Sequence, residues 1–242
     1  MAQFYPMQWY ILKCFDQLIN KYGLKGPFLD AGGGLGEVSQ FLAKRGWNGK
    51  LVDSSERAVQ KAMSRLREYD VLVVKRRIEE ETGVYNTVVL FDVLEHIKDD
   101  EMAVKKIRAN LRRGGHLAVT IPLKQKEWRW DDELNGHYRR YELGEFLRLM
   151  QKYGFRPLEV ADYTFPFFWL ARRLLTFAWP APLEIEGRTK EELTELRKKS
   201  FETVMFIKMI EWRFLWFPVY FVQDCFKWGH YGFEGLIIFR RE

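Results

Sequence analysis

Cysteine and histidine are scarce in this chain. Cys14 and Cys225 are the only cysteines among 242 residues. Two are too few for a disulfide framework, and they lack the Cys-x-x-Cys spacing of a zinc or redox site. A reducing compartment fits, and a cytoplasmic location is expected. Histidine occurs four times, at positions 96, 116, 137 and 230, so imidazole chemistry has few candidates. The N-terminus has no cationic start and no long apolar core, which argues against a signal peptide. The most apolar stretch, Phe201 to Val222, is broken by Lys208, Glu211, Arg213 and Pro218, which argues against a membrane span. Neither sign of charge dominates: 39 Lys and Arg against 33 Asp and Glu leave a net charge of +6. The basic residues are interspersed with acids, so the charge permits a nucleic-acid partner without demanding one, and none is included among the expected partners.

Strand and helix signals alternate through the first half. Pro27-Phe28-Leu29 is a short apolar run, and Glu37 to Lys44 reads as a helix. Gly49 to Asp53 reads as a strand ending in an acid, followed by an amphipathic helix from Glu56 to Tyr69 that Ser54-Ser55 would cap. Val71–Val74 and Thr87–Phe91 are strand candidates, the second apolar enough for a sheet covered on both faces. Met102 to Leu111 reads as a helix that stops at Gly114-Gly115, with a strand from His116 to Ile121 behind it. Such alternation predicts a parallel, doubly wound α/β sheet. Met1 to Tyr22 reads as a helix laid over the sheet edge.

The segment Asp30-Ala31-Gly32-Gly33-Gly34-Leu35-Gly36 joins the first strand to the first inner helix. Glycines there let backbone approach a ligand at a helix N-terminus. A dinucleotide fingerprint fails, because its last glycine would fall on Glu37. The spacing instead resembles motif I of class I S-adenosylmethionine-dependent methyltransferases. Asp53, about twenty residues on, stands where an acid accepts hydrogen bonds from ribose hydroxyls. The segment Phe91-Asp92-Val93-Leu94-Glu95-His96-Ile97 is similar to the small-molecule branch that includes the quinone-biosynthesis O-methyltransferases. So are Leu111 to Leu117 and Thr120-Ile121-Pro122. Gly136-His137-Tyr138-Arg139-Arg140-Tyr141, ahead of a helix ending in Tyr153-Gly154-Phe155, resembles related bacterial enzymes. The resemblance spans about residues 25 to 162 and the final strand.

That resemblance implies S-adenosylmethionine as cofactor. Asp30, Gly32, Gly33, Gly34 and Gly36 would hold its methionyl end, Asp53 its ribose, and Phe91 and Asp92 would complete the pocket. Where the family usually places an acid or small polar residue near the adenine, this chain reads Lys75-Arg76-Arg77. The resemblance also implies a seven-stranded, mostly parallel Rossmann-like sheet ending in an antiparallel pair. Pro157–Tyr163 and Gly235–Arg240 fit that pair. Between them lies a segment of about seventy residues, far beyond a hairpin loop. Accordingly, residues 1–164 form the methyltransferase core with its N-terminal helix, 165–233 an aromatic-rich helical cap insertion, and 234–242 the final core strand. Inside the insertion, Phe165–Pro182 carries aromatics around Arg172-Arg173, and Thr189–Glu192 reads as a capping box. These aromatics would line an apolar pocket or touch a bilayer, with Arg172 and Arg173 favouring anionic head groups.

Methyl transfer to a hydroxyl benefits from a base titrating near neutrality, which points to histidine. His137 is the first candidate for base or acceptor contact and His96 the second; both follow strand ends where ligands of open α/β sheets bind. Tyr138, Arg139 and Arg140 are candidate acceptor contacts, the arginines as a clamp for a carboxylate or phosphate. Asp92, Glu95 and His96 could gather around a hard metal, although capping of the next helix accounts for them as well, so no metal is included. The expected function is O-methylation of a small or lipid-like apolar acceptor. The alternatives are a cofactor-binding but inactive docking protein and, less favoured, a nucleic-acid methyltransferase.

Overall fold

The computed structural model describes residues 5–178 and 216–242. The reading of residues 1–4, the Thr189–Glu192 cap and most of the Phe201–Val222 stretch falls outside them. Among the described residues seven strands form one sheet in the order β3-β2-β1-β4-β5-β7-β6. The strands are β1 (Phe28–Ala31), β2 (Gly49–Asp53), β3 (Val71–Lys75), β4 (Tyr85–Phe91), β5 (Leu111–Pro122), β6 (Phe155–Asp162) and β7 (Glu234–Arg241). Strands β1 to β5 run parallel. Only β7 opposes them, wedged between β5 and β6. This is the sheet expected from the sequence.

The eight described helices are α1 (Pro6–Tyr22), α2 (Glu37–Lys44), α3 (Glu56–Leu66), α4 (Asp100–Asn110), α5 (Trp130–Asn135), α6 (Leu143–Lys152), α7 (Phe167–Ala178) and α8 (Phe217–Phe226). They cover both faces, and the period-two alternation of a strand sorts the side chains between the faces. Val88, Leu90, Ile237 and Phe239 join the core beneath α4 and α6. Their neighbours Val89, Leu236 and Ile238 join the core beneath α1, α7 and α8. Two boundaries differ from the sequence reading. Helix α3 stops at Leu66 rather than Tyr69. Strand β5 starts at Leu111 and carries Gly114-Gly115 inside it. A Cβ at Gly115 would lie 2.8 Å from the carbonyls of Arg112 and Asn86, so glycine lets the strand pass a register shift rather than ending it.

The described parts of the insertion pack on α1. Tyr220 stacks on Tyr10 and Trp9 at centroid separations of 5.3 and 4.8 Å, and Asp224 binds Lys13 and Tyr10. Arg172 and Arg173, expected to face lipid head groups, turn inward instead and pair with Asp131, Asp132 and Glu127. A lone guanidinium in such a place would lose its hydration, and carboxylates on the neighbouring body supply the compensation. No helix among the described residues is long and apolar enough to cross a membrane.

The insertion leaves and rejoins the sheet at one knot. Buried Asp162, the last residue of β6, accepts from the amides of Thr164 (2.9 Å), Phe165 (3.1 Å) and Gly232. The Thr164 hydroxyl donates to Asp162 and accepts from the Phe233 amide at 3.0 Å. A Cβ on Gly232 would fall 2.0 Å from that hydroxyl, so only glycine fits. Replacing Asp162 by Ala would orphan three amides and is expected to lower stability by about 3 kcal/mol. Denaturant unfolding that finds a loss under about 1 kcal/mol would show that the knot is not structural.

Candidate active site

The site opens at the C-terminal ends of β1, β2 and β4. After Ala31 the chain turns through Gly32, Gly34 and Gly36, all in the left-handed region. Gly33 has a packing reason as well: a Cβ there would lie 2.7 Å from the Asp30 carboxyl and from Leu51. Above Gly34, by contrast, a Cβ would meet nothing within 4 Å. The loop therefore presses its back on the sheet and leaves its crest open, beside the N-terminus of α2.

Two acids shape this loop. Asp30 is buried, and its Oδ2 accepts from the Ser39 amide (3.1 Å) and hydroxyl (2.7 Å), tying β1 to α2. Burial raises its pKa to about 6, against the lowering by the Ser39 hydrogen bonds. Asp53 uses Oδ2 to hold the Gly34 amide at 2.9 Å and Oδ1 to hold the Ser55 amide at 2.8 Å. Each oxygen keeps a further lone pair for a ribose hydroxyl. The basic run behind β3 turns elsewhere: Lys75 pairs with Glu56 and Arg76 with Glu81.

Phe91 closes β4, half-buried against Phe15 of α1 at 5.2 Å. Asp92 follows with φ 54°. Thr120 of β5 stabilises that backbone: its hydroxyl accepts from the Asp92 amide at 2.9 Å and donates to Asp92 Oδ1 at 2.7 Å. Nearby, Glu95 is buried and its Oε2 has no partner among the described residues. Burial, then repulsion from Asp92, pushes its pKa well above the ordinary carboxyl range. The same two causes raise Glu234, the first residue of β7, to about 8, although the Tyr163 hydroxyl donates to it at 2.7 Å. This edge of the sheet is therefore rich in carboxyl groups.

His96 and His137 come together. Their rings meet edge to face at 4.8 Å, although forty residues separate them in the chain. The Tyr138 amide donates to the Glu95 carbonyl at 2.8 Å and docks the loop after β5 onto the β4 end. His137 Nδ1 lies 2.9 Å from Asp132 Oδ1, and His96 Nδ1 lies 3.3 Å from the Gly136 carbonyl. Asp132 also binds Arg140. Burial opposes its ionisation, but hydrogen bonds from His137 and Arg140 hold its carboxyl far below the ordinary range.

The arginine clamp expected from the sequence does not form. Arg140 is buried, with its guanidinium on Asp132 and on the carbonyls of Leu123 and Phe233. Arg139 pairs with Asp100 and donates to the Lys98 carbonyl. Tyr138 is the exposed member of the trio. Of the metal candidates, Glu95 and His96 converge with His137, one ligand atom from each lying within 4.8 Å of the others. That spacing lets the three groups share one small ligand.

The sequence reading missed Ser39, Thr120, Asp132, Tyr163 and Glu234. Only Asp132, five residues before His137, had a local signal: an acid close enough to reach the imidazole.

Residues 8–160 match the model of a methyltransferase domain family. A comparison with functionally curated proteins returned no match. Among solved structures, the chain is similar to magnesium protoporphyrin IX methyltransferase from Synechocystis PCC 6803 with bound S-adenosylmethionine. That pair shares 18% identity and a TM-score of 0.54 over 69% of this chain and 81% of the other. It is also similar to 1,6-didemethyltoxoflavin-N1-methyltransferase from Burkholderia thailandensis (15% identity, TM-score 0.55, 98% and 78% covered). A third, the [4+2]-cyclase SpnF, superposes with a TM-score of 0.61 at 16% identity over 95% and 81% of the chains. At these identities the likeness carries the fold. Fold and glycine-loop site together define a class I, S-adenosylmethionine-dependent methyltransferase. The chain belongs to the methyltransferase domain family.

Asp53→Ala is expected to weaken binding of S-adenosylhomocysteine about tenfold to a hundredfold, the equivalent of one or two lost charge-assisted hydrogen bonds. Calorimetry with unchanged affinity would remove Asp53 from the cofactor site.

Proposed function

We propose that the protein O-methylates a small or lipid-like apolar acceptor. The observation that carries this reading is the contact of His137 Nδ1 with buried Asp132 at 2.9 Å. An ionised Asp132 can only accept, so the neutral imidazole carries its proton on Nδ1 and its lone pair on Nε2. Such a histidine is an oriented base, which an inactive docking protein would not need.

Bound S-adenosylmethionine supplies an electrophilic methyl group on a sulfonium centre. The open crest at Gly34, the α2 N-terminus and Asp53 would hold it. His137 takes up the acceptor hydroxyl's proton at Nε2 as the oxygen becomes nucleophilic, and later returns it to water. Asp132 stabilises the imidazolium formed and prevents the ring from turning. The Asp92 carboxylate and the low-charge surroundings of Glu95 and Glu234 offer an anionic acceptor no cation, and both loop arginines already hold partners. A neutral hydroxyl on an apolar molecule meets both conditions. Placing Tyr138 against the acceptor is part of the same reading, as is a cap role for residues 165–233.

His137→Ala is expected to slow transfer of labelled methyl groups to a total lipid extract by about a hundredfold. S-adenosylhomocysteine affinity should change less than about twofold, the equivalent of under about 0.5 kcal/mol. Wild-type turnover in this variant would defeat the proposed base.

Peripheral contact with a bilayer is a second reading, supported by the exposed apolar faces of α7 and α8. Leu170, Leu174 and Phe177 lie along one, and Phe217 and Phe221 along the other, with Phe177 88% exposed. Helices of this kind enter the interface by their apolar face. With Arg172 and Arg173 engaged internally, contact should depend little on anionic lipid. The protein is expected to float with phosphatidylcholine vesicles, and Phe177→Ser/Phe221→Ser to float at least fivefold less. Absence of flotation would restrict the acceptor to the aqueous phase.

A further inference from the structure

Among the described residues five donors surround Asp132, drawn from α5 and the loop after it and from the insertion. Asp132 Oδ1 receives His137 Nδ1 (2.9 Å), Arg140 Nε (2.9 Å) and Arg140 Nη2 (2.8 Å). Asp132 Oδ2 receives the Arg129 amide (2.9 Å) and Arg172 Nη2 (2.8 Å). Arg172 belongs to α7, forty residues further along the chain, and it reaches Asp132 from a fixed platform. Its Nε and Nη2 grip Asp131 as a two-pronged pair, both at 2.7 Å, and its Nη1 donates to the Glu127 carbonyl at 3.0 Å. The Phe233 ring, at the other end of the insertion, has the Arg172 guanidinium 4.6 Å and the Arg140 guanidinium 5.8 Å from its centroid.

We infer that Arg172 is a positioning residue for methyl transfer, acting through Asp132 on His137, so that the insertion completes the acceptor side of the site. The inference rests on the proposed role of His137. A carboxylate offers about four lone-pair directions, and here all of them are taken. Among the described residues, Arg172 is the only side-chain donor on Oδ2. Without it, Oδ2 keeps a single backbone amide, and the carboxyl can rotate about its broad terminal torsion. Rotation would take Oδ1 out of the ring plane of His137 and release the imidazole to either tautomer. Lysine cannot replace the fork, because an ammonium is a point donor and cannot span Asp131 and Asp132 in one plane.

Arg173 separates positioning from plain anchoring. It stacks on Trp169 at 4.1 Å and pairs with Glu127 at 2.5 Å, and so ties the same helix to the same body without touching Asp132. Loosening α7 through Arg173 should therefore leave the imidazole as it was.

The test requires no acceptor. Four histidines give a resolvable set of imidazole nitrogen signals in a long-range proton–nitrogen NMR spectrum of the full chain, with His137 assigned by loss of its signals in His137→Ala. Spectra are taken at pH 8, where an ordinary imidazole is neutral. In the wild type His137 should show the Nδ1–H form alone. Arg172→Met should give averaged nitrogen shifts, with the Nε2–H form rising to at least a third of the population. Arg172→Lys should fall between the two, and Arg173→Met should match the wild type. Affinity for S-adenosylhomocysteine should be the same in all of them within about twofold. A pure Nδ1–H signal in Arg172→Met overturns the inference, and if that variant does not fold, the same signal in Arg172→Lys does so. An equal change in Arg173→Met also overturns it, by making the effect one of anchoring. A wild-type His137 in the Nε2–H form instead removes the oriented base itself, whichever arginine is present.

Discussion

The Asp132 carboxylate is buried, where an isolated negative charge would be strongly disfavoured. It is ionised because His137, two nitrogens of Arg140, the Arg129 amide and Arg172 all donate to it. That requirement joins α5, the loop after it and α7 at one carboxylate. Helix α5 must present the acid, the loop after it must return His137 and Arg140, and α7 must supply Arg172. Removing one donor from such a network leaves a buried charge short of partners, so the cost falls on the site as a whole.

The cofactor side is built on a different constraint, the close approach of backbone to sheet. Gly33 packs against Asp30 and Leu51 with no room for a side chain. Asp53 then ties the loop down through the Gly34 amide. The acids there hold local backbone, whereas Asp92, Glu95 and Glu234 act on one another through charge. Burial, then repulsion from Asp92, raises the pKa of both Glu95 and Glu234. The two ends of the site thus differ in character: a glycine loop with free hydrogen-bonding capacity, and a carboxyl-rich wall beside His137.

Much of this was legible in the chain itself. Helix Glu37–Lys44 and strand Gly49–Asp53 were read with their observed boundaries, because each has an unambiguous period and sits between turn residues. The glycine spacing marked the loop, and Asp53 marked the end of β2. Pairing of β6 with β7 across the insertion also agrees with the reading. The α3 end and the β5 start were misplaced for local reasons, a helix that ends at Leu66 and a glycine pair that bulges rather than stops.

Sequence determined the order of strands and helices, the glycine loop, and the presence of two histidines beyond strand ends. These depend on periodicity and on neighbours within a few residues. Only the tertiary structure decided that Arg140, expected at the acceptor, and Arg172, expected at lipid head groups, both pair with a buried acid. It likewise decided that Glu234 stands beside Tyr163 and that His96 meets His137. Each of those depends on a partner forty or more residues away, except the Arg140 pairing with Asp132, which crosses a loop whose path α5 sets. A side chain's charge can be read from the chain, but the partner that neutralises it is chosen by the packing of the sheet edge.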